Sequence, residues 1–154
     1  MNRPEVCRQF ELDLFNDTTQ RHPVLMASYG VSSFARPKYQ YGTANGLTRA
    51  IIDFIELHGG QAERISISGR PQEVRNIAGR VCGIKWQKSH MTVGTADISA
   101  TINGRSVKIE VKIGRDVQSK AQKDYQRAVE RAGGVYYIAR DFESFVSWFN
   151  DYKF

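Results

Sequence analysis

Residues 96–113 read ADISATINGRSVKIEVKI. Small or apolar residues at 96, 98, 100 and 102 alternate with polar ones, Asn103-Gly104 interrupts them, and the alternation resumes at 107, 109, 111 and 113. Asn-Gly between two alternating runs is the strongest short-range signal for a β-hairpin closed by a two-residue type I′ turn. A loop of that length sets the register. Ile102 faces Arg105, Ala100 faces Val107, Ile98 faces Ile109, and Asp97 faces Glu110. The side-chain period of two then sorts Ala96, Ile98, Ala100, Ile102, Val107, Ile109, Val111 and Ile113 onto one face. Asp97, Ser99, Thr101, Ser106, Lys108, Glu110 and Lys112 fall on the other. So continuous an apolar face has to be covered by a second layer, which makes this ribbon the centre of whatever fold the chain adopts.

The flanking segments supply that layer. In TANGLTRAIIDFIELHGG, residues 43–60, Leu47, Ala50, Ile51, Phe54 and Ile55 recur at helical spacing, with Thr43 as cap and Gly59-Gly60 as stop. QAERISISG (61–69) reads as a strand. Residues 70–93 show poor periodicity and read as a basic loop or an extra extended ribbon. After the hairpin, Ser119 and Gln122 form a capping box for a helix whose inner face is Ala121, Tyr125, Ala128, Val129 and Ala132, closed by Gly133. VYYIAR (135–140) reads as a buried strand. DFESFVSWF (141–149) reads as a final helix capped by Asp141, with Phe142, Phe145, Val146 and Phe149 inward. Residues 1–42, punctuated by Pro4, Pro23 and Pro37, read as an irregular N-terminal arm, with a short helix over 5–15 also compatible. Residues 43–154 thus form one α/β domain in α-β-β-β-α-β-α order: a mixed β-sheet flanked by helices, with a basic insertion at about 70–93.

Length and composition agree with a single domain: 154 residues, 41% hydrophobic and 25% charged. No apolar run approaches the roughly 20 residues of a membrane helix, so no membrane partner is expected. The acidic start of the chain lacks a secretory h-region. Cys7 and Cys82 match no zinc spacing and read as reduced thiols, which points to a cytoplasmic setting. The net charge of +6 is unevenly spread. Residues 64–123 hold twelve Lys and Arg against four Asp and Glu, and the rest of the chain ten against twelve. A field of that sign attracts a polyanion, nucleic acid first, although surface charge also serves plain solubility.

Within that basic segment the two acids of the hairpin stand out. Directly opposed residues have Cβ atoms about 4.5–5.5 Å apart, so two carboxylates there either repel or share something positive. A hard divalent cation between Asp97 and Glu110 fits, with the backbone carbonyl of Val111 as a further oxygen. Lys112 emerges on the same face, where its ammonium can orient a water and offset charge on a phosphate. Cation, water and positive charge are the minimum equipment for phosphodiester hydrolysis. The alternative is a polar outer face on which Lys108 and Lys112 relieve Glu110 through solvated ion pairs.

These residues resemble a known family. GTAD, twelve residues, EVK, and then SKAQKDYQRAVERAGGVYYIARDFESF resemble the VRR-NUC family of the PD-(D/E)XK, restriction-endonuclease-like nuclease superfamily. The resemblance is strongest over residues 94–145, extends more loosely back to 43, and leaves 1–42 outside. It implies a restriction-endonuclease-like core and a Mg²⁺- or Mn²⁺-dependent DNA endonuclease. Asp97 and Glu110 would be metal ligands, Lys112 the catalytic lysine and Gln122 the helix glutamine near the site. It further implies a structure-specific enzyme acting on branched or four-way junction DNA, typically as a homodimer, in recombination, repair or phage replication, in a bacterial or phage-infected cell. Two positions depart from the family pattern. Ala96 stands where a proline often precedes the first acid. Asn45 is the nearest residue to a glutamate the family tends to carry near the start of the first helix; its lack of a carboxylate weakens the two-metal version of the mechanism and leaves one or two metals open.

Arg70, Arg75, Arg80, Lys85, Lys88, Arg115 and Lys120 are the expected phosphate contacts. Trp86 suits either stacking on an unpaired base or a small secondary core. His90 lies close enough to Asp97 in sequence to reach a phosphate, though a loop histidine without that role is the commoner case; His22 and His58 suggest no chemistry. Two other function classes stay open: a catalytically weak DNA-binding module of the same fold, and an interaction domain without nucleic-acid affinity.

Overall fold

The computed structural model describes residues 4–65, 70–87 and 92–152, and of Arg70 and Gln87 the backbone alone. The hairpin is β4 (Ile98–Ile102) and β5 (Arg105–Val111), in the expected register from Ile102↔Arg105 to Ile98↔Ile109. Asn103 and Gly104 both take positive φ, 47° and 77°, as a type I′ turn requires. β1 (Gln61–Arg64) pairs antiparallel with β4, and β6 (Val135–Ala139) pairs parallel with β5, which gives a four-stranded mixed sheet in the order β1-β4-β5-β6. A separate two-stranded ribbon, β2 (Arg70–Arg75) and β3 (Val81–Gln87), occupies the insertion. Of the two readings open there, the extended ribbon is the one found.

The apolar face of the hairpin is sealed: Ala96, Ile98, Ala100, Ile102, Val107, Ile109 and Val111 are all buried. The cover is α3 (Ala44–Leu57) and α5 (Phe142–Asp151). In α3 the five residues at helical spacing are buried, and the Thr43 hydroxyl accepts from the Gly46 N–H at 3.1 Å. In α5 Phe142 and Phe145 are buried, Val146 and Phe149 half-buried, and Asp141 caps through the Ser144 N–H at 2.7 Å.

Two expectations need correction. Most of the expected irregular arm is helical: residues 5–29 form α1 (Glu5–Arg21) and α2 (Pro23–Tyr29), while 34–42 carry no helix or strand, and α1 places Cys7 and Phe10 in the same core as α3 and α5. The Phe10 ring lies 5.6 Å from Tyr39 and 5.0 Å from Phe142. Two of the three prolines that read as interruptions are helix starts: Pro4 is the N-cap of α1 and Pro23 opens α2, where a missing N–H has no consequence, whereas Pro37 lies outside any helix or strand. Second, the strand VYYIAR is not wholly buried. β6 is the sheet edge, only Ala139 is fully enclosed, and α4 (Lys120–Arg131) covers its other face with no fully buried residue of its own. Ala128 and Ala132, expected to face inward, are exposed.

Both cysteines are free thiols, Cys7 buried and Cys82 exposed. Among the described residues no helix is long and apolar enough to cross a membrane.

Candidate active site

The polar face of the hairpin is not uniformly wet. At its open end Glu110 is 1% exposed and Lys112 6% exposed. The solvated ion-pair reading therefore fails at this point. Lys108 does not serve Glu110 either, since its ammonium donates to the Ser99 hydroxyl at 2.5 Å. Glu110 is enclosed because β5 is an interior strand. It pairs with Ile138 of β6, and α4 lies over the same side of the sheet.

Lys112 Nζ lies 3.1 Å from Glu110 Oε1 and 3.3 Å from Asp116 Oδ2. Gln122 Nε2 donates a short hydrogen bond to the same Glu110 Oε1. The other face of that amide completes the capping box: Gln122 Oε1 accepts the Ser119 N–H at 2.8 Å, and the Ser119 hydroxyl accepts the Gln122 N–H at 3.2 Å. One side chain thus bonds the helix cap and Glu110 at once. Tyr136 donates to Glu110 Oε2 at 3.5 Å, the outer limit of such a bond.

Asp97 sits one residue before β4. Its Oδ2 accepts the Val111 N–H at 2.8 Å, and its own carbonyl accepts the Ile65 N–H at 2.8 Å. The Asp97 carboxylate therefore rests against the peptide that joins Glu110 to Val111, near enough for its charge to act on Glu110. The approach to Asp97 is tightly built. A Cβ on Gly94 would stand 2.4 Å from the backbone of Ala121 in the first turn of α4, and Gly94 has φ +87°. Only glycine allows the loop this close to the helix that carries Gln122.

The electrostatics follow from the enclosure. Glu110 is held above the usual carboxylate range, first by burial and then by the neighbouring Asp97 charge, with Lys112 and Tyr136 opposing. For Lys112 burial alone would lower the pKa, but Glu110 and Asp116 outweigh it and the ammonium is favoured. Burial and the Glu110 charge raise the Tyr136 phenol, so it remains a donor.

The expected ligands are all hard oxygens, which suits Mg²⁺ or Mn²⁺. Among the described residues no group of three or more His, Cys, Asp and Glu assembles for a metal. A cation here would therefore complete its shell with the Val111 carbonyl and water, as Mg²⁺ commonly does. Asn45 adds no ligand. Its Oδ1 accepts from Arg64 Nη2 at 2.7 Å.

The basic residues divide. Arg115 and Lys120 are exposed on the short segment that links Lys112 to Gln122. Arg75, Arg80 and Lys85 belong to the β2–β3 ribbon. The Arg70 side chain, Lys88 and His90 lie outside the described residues. Trp86 fills no secondary core and is 63% exposed. Sequence reasoning missed Tyr136 and Asp116. Asp116 lies four residues after Lys112, a readable spacing, whereas Tyr136 reaches Glu110 only through the parallel strand pairing. Comparison of the chain with protein-family models and with curated proteins gives no match.

Proposed function

We propose that the chain is a Mg²⁺- or Mn²⁺-dependent DNA endonuclease with a restriction-endonuclease-like core. The single observation that carries this reading is the burial of Glu110 and Lys112 beside Asp97 on the polar face of the central hairpin. A binding surface gains nothing by enclosing an acid beside a second one that raises its pKa. The order α3-β1-β4-β5-α4-β6-α5, with the ribbon inserted after β1, accommodates the core that the resemblance implies.

Asp97, Glu110 and the Val111 carbonyl would hold the cation. When bound, it supplies Lewis-acid polarisation of the phosphate and promotes ionisation of water. Gln122 and Tyr136 fix the Glu110 carboxylate from both sides, so its direction is set before substrate arrives. Lys112 offers a positive charge for the attacking water and for the phosphorane-like transition state. Glu110 first and Asp116 second favour the charged form of that ammonium. The basic segments flanking the site draw in the duplex backbone without reading sequence. Branched or four-way junction DNA is the proposed substrate, a homodimer the proposed working unit, and the cytoplasm of a bacterial or phage-infected cell the proposed setting.

The test uses labelled four-way junction and linear duplex with Mg²⁺, Mn²⁺ or EDTA. Cleavage that requires metal and disappears in Glu110→Ala supports the reading. Tight, salt-sensitive binding without nicking under either metal replaces it with a DNA-binding module.

A further inference from the structure

The β2–β3 ribbon ends in a turn with an unusual tip. Ile77 is fully exposed there, more so than any other large apolar residue described. The turn beneath it is stiff. Asn76 Oδ1 accepts the Ala78 and Arg80 N–H groups, each at 3.0 Å, and the Asn76 N–H donates to the Arg80 carbonyl at 2.9 Å. The Gly79 N–H returns to the Asn76 carbonyl at 2.8 Å. Arg75 braces the turn from behind, donating to the Gly79 carbonyl at 3.1 Å while paired with Glu73 at 2.6 Å. A loop whose only role was to join two strands would tolerate almost any residue at its apex. This one holds an isoleucine rigidly in water.

Charge selects the occupant. Residues 70–87 contain four Arg and Lys against one Glu, so an anionic partner is favoured and an apolar protein face is not. DNA offers both requirements at once: phosphates along each rim of a groove and stacked bases within it. Two-stranded ribbons fit DNA grooves, and apolar wedges such as Ile enter between base pairs, unstacking and kinking the duplex. The ribbon is long enough. The seven residues of β3 span about 23 Å. The described chain on either side of it lies at the candidate site: Ile65, the last described residue before it, bonds the Asp97 carbonyl, and Thr92, the first after it, accepts from Thr95, two residues before Asp97.

We propose that the β2–β3 ribbon is a DNA-deforming arm: Arg80 and Lys85 hold the backbone while Ile77 inserts as a wedge at an easily unstacked base step or branch point. This deepens the nuclease reading and rests on it for the identity of the polymer. It supplies a source of structure selectivity, because a distorted or branched site is easier to wedge open than a continuous duplex.

The test is run in EDTA, so that cleavage plays no part. Full-length protein is titrated onto a duplex and a four-way junction, each carrying 2-aminopurine beside a TpA step or at the branch. Wild type should raise the fluorescence several-fold as the base unstacks, a response expected of a wedge. Ile77→Ala and Ile77→Asp should abolish the rise. Ile77→Ala should weaken binding in a gel shift by no more than about tenfold, because the phosphate contacts remain. A bound wild type that leaves the fluorescence unchanged, or an Ile77→Ala that matches wild type, overturns the proposal. So does a variant whose only change is a shift from dimer to monomer in sedimentation, since the tip would then be covered by a second copy. Unstacking without cleavage in a parallel Mg²⁺ assay removes the nuclease reading and leaves the arm. Cleavage without unstacking removes the arm alone.

Discussion

Two antiparallel ribbons in this molecule have nearly the same length and opposite environments. β4–β5 is clamped between β1 and β6, with every core-facing residue buried. Among the described residues β2–β3 pairs only with itself, and Val74, Val81, Ile84 and Trp86 all remain exposed. Their sequences record the difference. The central ribbon alternates strictly because a second layer selects one face. The outer ribbon has lost alternation because neither face has a layer to satisfy. Poor periodicity inside an otherwise patterned domain marks a segment shaped by something other than the core, here the proposed partner.

The contrast can be broken or sharpened by measurement. The largest effect is expected at the enclosed end of the central ribbon, where Glu110→Ala should reduce metal-dependent cleavage to background in a junction assay while the far-ultraviolet spectrum stays native. Next, Ile109→Ala in the central ribbon should cost about 2–5 kcal/mol in denaturant unfolding. The matching Ile84→Ala in the outer ribbon should stay within about 0.5 kcal/mol. A large loss at Ile84 would mean that the outer ribbon is packed after all.

Smaller effects test the link to α4. Gln122→Glu can still accept the Ser119 N–H but cannot donate to Glu110. Cleavage should fall about 10–100-fold, as for other residues that orient a ligand, with the helix intact. Gln122→Ala should show a similar loss of rate, and thermal melting should report up to about 1 kcal/mol more from the lost cap.

The smallest effect is a slope with pH. Between the ordinary carboxylate range and the raised pKa of Glu110, the folded protein keeps a proton that the unfolded chain has released. Metal-free stability should therefore fall as pH rises through that window. A cation competes with the same proton, so the rise in Tm on adding Mg²⁺ should grow over the same interval. Glu110→Gln should flatten both trends.

What was legible in the sequence follows the range of the interactions. Asn103-Gly104 determines the hairpin register locally, and Ser119 with Gln122 announces a cap within four residues, so both could be read directly. The helical nature of residues 5–29 was obscured because Pro4 and Pro23 look alike whether they end an element or begin one. For Pro4 the burial of Phe10 against Tyr39 and Phe142 decides between them. The depth of Glu110 depends on a parallel strand more than twenty residues later, and the pairing of β5 with β6 leaves no local trace. Gly94 looked like an ordinary turn residue, although its missing Cβ is what lets the Asp97 loop meet α4.

That close seat joins two events usually treated separately. The amide of Gln122 grips the start of α4 with one end and the buried acid with the other. Fraying of that single helical turn would release Glu110 at the same instant. Hydrogen exchange at the first amides of α4 should thus report the fraction of time the acid stands fully held, and a cation bound at Glu110 should slow that exchange.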